Sequence, residues 1–197
     1  MIFYFTGTGN SKYAAESIGN ALGESVVPIE KALKGSQGKV YLDGEKYLGF
    51  VFPVYYFGIP NIVEEFSRRV SMEGRSGKGI FLVLTCGGTT GDAHIMFKKL
   101  IERKGLILDY IFAVDMPDNY ILMYDVQKPD QQETQLISAA EKMSAIIKKI
   151  IAEDKGDHNN LKGPFPSLMT KMAYPMYRMG RNTKSFYADD RCNSCGL

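Results

Sequence analysis

The chain has 197 residues, a formal net charge of +2, 45% hydrophobic and 23% charged residues. That is the makeup of an ordinary globule large enough to bury a full core, and it argues against a disordered or fibrous chain. No run of 18 apolar residues occurs, so no membrane span is predicted. The opening MIFYFTGTGNS lacks the basic stretch and cleavage site of a secretory signal, and three cysteines make no disulfide framework. A cytoplasmic location is therefore expected. The positive charge is uneven: from His158 to Ala188 the chain carries Lys162, Lys171, Arg178, Arg181 and Lys184 and no acid. A basic tail without a recognisable binding module does not point to nucleic acid, and none is expected as a partner.

Taken in order, short apolar strands alternate with longer periodic segments. Ile2–Phe5 reads as the first strand, Ser11–Leu22 as a helix and Ser25–Ile29 as a second strand. Tyr47–Val54 is nearly all apolar, as a strand covered on both faces should be. Ile59–Val70 follows as a helix with Pro60 in its first turn, then the strand Gly79–Thr85 and the helix Asp92–Lys104. Leu106–Val114 is the fifth strand, and a long helix spans Gln131–Glu153 with Leu136, Ala140, Met143, Ile147, Ile150 and Ile151 expected inward. Ser167–Gly180 is predicted as a short helix rich in Met and Tyr, with an apolar side that packs on the domain or meets a partner. Five strands with crossovers of this length imply a parallel sheet flanked by helices, an α/β fold. Residues 1–157 form the main domain in this reading, and 158–197 a C-terminal extension.

Four loops fall on the rim where parallel strands end, the edge at which such folds bind ligands. The first, Thr6-Gly7-Thr8-Gly9-Asn10-Ser11, joins a strand to a helix start and crowds that point with glycines and short hydroxyl or amide side chains. Backbone amides and the helix dipole there favour an anion. The spacing lacks the GxxxxGK of a P-loop. A dinucleotide loop reading GxGxxG fits at Gly7 and Gly9, but Lys12 stands where its third glycine belongs; Glu30 lies near the place of its ribose-binding acid. Hydroxyls beside amides suit a terminal phosphate monoester best. The second loop, Pro53-Val54-Tyr55-Tyr56-Phe57-Gly58, brings three successive aromatics that would cover a planar ring or the neighbouring helix. The third, Thr85-Cys86-Gly87-Gly88, lets backbone approach the polar edge of such a ring; nothing orients Cys86 and His94 as nucleophile and base. The fourth offers Asn119 and Tyr120 to close the far side.

The segments FYFTGTGNSKYAAE, FPVYYFGIP, LTCGG and MPDNY together resemble the flavodoxin-like half of the flavodoxin–ferredoxin fusion family. The resemblance implies a flavodoxin-like three-layer sandwich whose five-stranded parallel sheet has the order 2-1-3-4-5. It also implies bound FMN, with its phosphate on Thr6, Thr8, Gly9, Asn10 and Ser11 and its flavin against Tyr55, Tyr56, Gly87 and Gly88. One departure is that the loop after the fourth strand, CGGTTG, lacks the usual aromatic.

Near the end, Cys192 and Cys195 are spaced to share a metal centre. A ferredoxin run reads C-x₂-C-x₂-C-x₃-C-P, so its third cysteine would fall at position 198. The chain is thus expected to stop at the start of a truncated ferredoxin-type domain, with 4Fe–4S clusters only in a full-length protein, since two cysteines do not complete a site. The expected function is electron transfer through FMN, exchanging electrons with the tethered iron–sulfur module and a further redox partner. The alternative is an NAD(P)H-dependent FMN-containing reductase of quinones or small acceptors. An electron carrier or oxidoreductase component fits the residues better than a stand-alone enzyme, and no catalytic acid, base or nucleophile is assigned.

Overall fold

A computed structural model describes residues 1–35, 38–74, 77–118, 120, 125–179, 187–189 and 191. Alternation of strand and helix produces the elements β1 (Ile2–Tyr4), α1 (Asn10–Leu22), β2 (Val26–Pro28), α2 (Ile29–Gly35), β3 (Lys39–Tyr41), β4 (Tyr47–Pro53) and α3 (Asn61–Arg69). The chain continues through β5 (Ser71–Glu73), β6 (Gly79–Cys86), α4 (Ala93–Glu102), β7 (Tyr110–Asp115), α5 (Pro129–Ile151), β8 (Gly156–Asp157) and α6 (Pro166–Met179).

Among the described residues the main sheet runs β2-β1-β4-β6-β7-β8, with every pairing parallel. Its five principal strands, counted along the chain, stand in the order 2-1-3-4-5, the flavodoxin-like winding. The sheet adds one strand to the five expected, the two-residue β8 on the edge beside β7. The other difference is a small parallel pair, β3 with β5, which shelters Val40 and Met72 at the side of the domain. Both are short segments in which period-2 patterning has too few residues to register.

The strand alternation sorts the core into two halves. Leu48, Phe50 and Phe52 of β4, with Leu82 and Leu84 of β6, face Val63 and Phe66 of α3 and Phe97 and Ile101 of α4. Val51, Val83, Phe112 and Val114 face Ala14, Ala15 and Ile18 of α1 and Ala139, Met143, Ile146 and Ile150 of α5. The α5 stripe is therefore 139-143-146-150: Leu136, Ala140 and Ile151 are exposed, against expectation. The helix is buried along one narrow line on α1 and β7, and its spare apolar residues face solvent.

Helix α6 returns across the rim of the domain. Its Thr170 and Tyr174 are buried, whereas Leu168, Met172, Met176 and Met179 on the other side are more than half exposed.

Candidate functional site

The chain winds from β1 outward to β2, then crosses back through β4, β6 and β7, so the winding reverses between β1 and β4. The loops leaving these two strands diverge there and open the crevice in which such folds seat ligands. Residues Thr6–Ser11 form one wall. Gly9 adopts a left-handed φ of 108° that a side chain would resist, and its amide donates to Thr6 Oγ1 at 3.0 Å. The first hydrogen bond of α1 runs from Tyr13 N–H to Gly9 O at 2.9 Å, so the amides of Asn10, Ser11 and Lys12 precede the helical ladder. No acidic residue stands in the first turn of α1, and Gly7 and Thr8 are exposed on the crest. An oxyanion is favoured at this point by the amides that precede the ladder and by the dipole. Lys12 is committed elsewhere, paired with Glu16 on the helix surface at 3.7 Å.

Two predicted anion contacts carry structural duties. The Ser11 hydroxyl is buried and hydrogen-bonded to Thr85 Oγ1 at 2.7 Å, tying α1 to β6. Asn10 Nδ2 donates to Pro117 O at 3.1 Å, tying the first loop to the fourth. Each leaves its backbone amide for a ligand and spends its side chain on the frame.

The second wall is a two-residue hairpin. Tyr55 and Gly58 exchange hydrogen bonds of 3.0 and 2.9 Å, and Tyr56 and Phe57 between them both have positive φ, 50° and 60°. This is the φ signature of a type I′ turn, normally made by Asn and Gly. Two bulky aromatics in that region cost about 1–2 kcal/mol each and need outside support. The turn sets Tyr55 over the first loop: a Cβ built on Gly7 would lie 3.0 Å from the Tyr55 hydroxyl. Burial raises the pKa of Tyr55, and the neighbouring Tyr177 adds to the shift. The Tyr56 hydroxyl is hydrogen-bonded to that of Tyr120, whose ring meets it edge-on at 5.8 Å. Pro53 ends β4, and Val54 N–H reaches Thr85 O at 2.9 Å, which joins this wall to the third loop.

In that third loop Gly87 and Gly88 are exposed, and nothing lies within 4 Å of a Cβ built on Gly88. A Cβ on Gly87 would come within 2.6 Å of Asp118 Oδ2, so a carboxylate borders the loop. Cys86 is buried with its Sγ toward Val114 O, and burial pushes its thiol up to about 12. His94 Nε2 faces Asp157 at 3.8 Å instead, so the two form no nucleophile–base pair. Asn119, Cys192 and Cys195 lie outside the described residues. Among the described residues no group of three or more His, Cys, Asp or Glu is placed to hold a metal, and no helix is long and apolar enough to cross a membrane.

Sequence reasoning missed the contribution of α6. Tyr177 lies against Tyr56 with ring planes 21° apart and against Tyr55 edge-on, and its hydroxyl accepts from Asn61 N–H at 3.0 Å. Thr170 and Tyr174 bond to the backbone of the aromatic hairpin's loop. The one signal in the chain was Gly58, where a side chain would overlap the Tyr174 ring.

No protein-family model matches the chain, and no curated protein sequence matches it. Among solved structures, the Trp repressor binding protein from Bacillus subtilis is similar at 10% identity with a TM-score of 0.48, over 76% of this chain and 95% of that one.

Proposed function

We propose that this chain is an FMN-binding electron-transfer domain, and that in a longer protein it exchanges electrons with a tethered iron–sulfur module ligated in part by Cys192 and Cys195. The observation that carries the reading is the meeting of an anion-binding helix start with an aromatic wall at the reversal of strand order, where the Tyr55 hydroxyl overhangs Gly7. A phosphate monoester fits the first loop because glycines, amides and the hydroxyl-bearing Thr6 and Thr8 meet at a helix start whose first turn carries no acid. A planar ring fits beside Tyr55 and Tyr56 because Gly88 of the third loop leaves open space on its approach, with the Asp118 carboxylate bordering Gly87.

FMN supplies the one- and two-electron chemistry once bound. The residues of this chain hold its phosphate, shield one face of its ring and set the charge around it. Asp118 beside Gly87 opposes the accumulation of negative charge there, which favours the oxidised form. Tethering keeps the iron–sulfur partner at high effective concentration without demanding a large interface.

The test is titration of the purified apoprotein with FMN, read by flavin fluorescence. Saturable one-to-one quenching is expected, and its absence from folded protein would remove the proposal. Steady-state NADPH oxidation at the rate of an ordinary flavin reductase would favour the reductase reading instead.

A further inference from the structure

Thr170 of α6 is 8% exposed and sits between two rim loops that are far apart in sequence. Its hydroxyl donates to Phe57 O at 2.9 Å and accepts from Asp92 N–H at 2.9 Å. The first partner belongs to the aromatic hairpin, the second to the end of the glycine loop that follows β6. A single side-chain oxygen therefore fixes the spacing of the two loops. One turn later the Tyr174 hydroxyl donates to Ile59 O at 2.8 Å.

The approach is close enough to dictate residue type on the other side. A Cβ on Gly58 would overlap the Tyr174 ring, and one on Gly91 would lie 2.6 Å from Thr170 Oγ1. The strained φ values of Tyr56 and Phe57 occur at the point that α6 grips. Such a turn persists only where its surroundings over-determine it, and α6 supplies hydrogen bonds to Phe57 O within it and to Ile59 O just after it.

We propose that α6 is a positioning element of the ligand site, with Thr170 as the residue that sets the gap between the aromatic hairpin and the glycine loop. This rests on the reading that FMN lies between those loops. Thr170 does not touch the ligand in this account. It acts through Phe57 and Asp92, and Tyr174 assists through Ile59.

The test compares Thr170→Val, which keeps the shape and loses the hydroxyl, with Thr170→Ser, which keeps the hydroxyl. In apoprotein followed by amide NMR, Val is expected to remove the exchange protection of the Asp92 amide and to shift the amides of Tyr55–Gly58; Ser is expected to retain both. With FMN, Val is expected to weaken binding about tenfold, the scale of one buried hydrogen bond, and to move the bound flavin's visible absorption band, while Ser restores affinity and band. If Thr170→Val proves unfolded, Tyr174→Phe serves, with a smaller loss of affinity expected. Unchanged affinity and spectrum in a folded Val or Phe variant, with wild type binding FMN normally, would overturn this proposal alone. A folded wild type that binds no FMN would overturn the flavin reading and this proposal with it.

Discussion

Placing a carboxylate on the crest of the first loop tests the phosphate assignment most directly. Thr8 is exposed there, so Thr8→Glu alters the charge facing the amides of α1 without disturbing the core. At a separation of about 5 Å in water-like dielectric, one unit charge opposes another by about 0.8 kcal/mol. A phosphate monoester carries about 1.5 to 2 charges, so the penalty is about 1.2–1.7 kcal/mol, or roughly 8- to 17-fold in Kd at low salt. Thr8→Gln has similar volume and no charge, so the Glu-to-Gln ratio isolates the electrostatic part. Riboflavin, which has the ring and ribityl chain but no phosphate, is the second control. Fluorescence titrations of both variants with both ligands give four affinities. FMN affinity should fall in Glu relative to Gln, riboflavin affinity should not, and the gap should shrink in 1 M salt, where screening acts over about 3 Å. Equal losses for FMN and riboflavin, or no loss at all, would refute the placement of phosphate on this loop.

Cys86, its thiol pushed up by burial, should stay unmodified by iodoacetamide in native protein at pH 8 and react only in denaturant, as peptide mass spectrometry would read; native labelling would contradict its burial. Burial depresses the pKa of His94, with Asp157 and Asp92 opposing that shift and Lys162 adding to it. Folding then favours the neutral ring: its contribution is present above the unfolded value near 6.5 and is lost as pH falls through the lower folded value. Urea midpoints of His94→Gln should therefore vary less with pH between 7 and 5 than those of wild type, and parallel curves would dismiss the effect. Ser11→Ala deprives the buried Thr85 hydroxyl of its partner and should cost about 1–2 kcal/mol in urea unfolding while changing FMN affinity little. A large loss of affinity at unchanged stability would return the Ser11 hydroxyl to the phosphate.

The centre of the sheet was legible because its strands are long and apolar: Tyr47–Pro53 and Gly79–Cys86 fall within a residue of where periodicity puts them. The first loop was legible because glycines and hydroxyls at a strand-to-helix junction have few other uses. The α5 stripe was misplaced because that helix carries more aliphatics than its buried line needs, so Leu136 and Ile151 competed with Ala139 and Ile146 for the inward face. The hairpin at Tyr56 and Phe57 was invisible for a different reason. Its conformation contradicts the local preference of its residues, and the contacts that enforce it come from Thr170 and Tyr174, more than a hundred positions away.

Those distant contacts follow a pattern. Ser11 to Thr85 links the first loop to the third, Asn10 to Pro117 links the first to the fourth, Val54 to Thr85 the second to the third, and Thr170 clamps the second and third again. Every rim loop is thus tied to another by a bond that no ligand makes. Walls held this way keep their spacing before anything binds, so little ordering entropy remains to be lost when a flat ligand enters. The same ties explain how two aromatics are kept at positive φ: released from α6, the hairpin would relax toward extended backbone and carry the Tyr55 hydroxyl off Gly7. On this account, affinity for a planar phosphate ester depends as much on a helix that never meets it as on the loops that do.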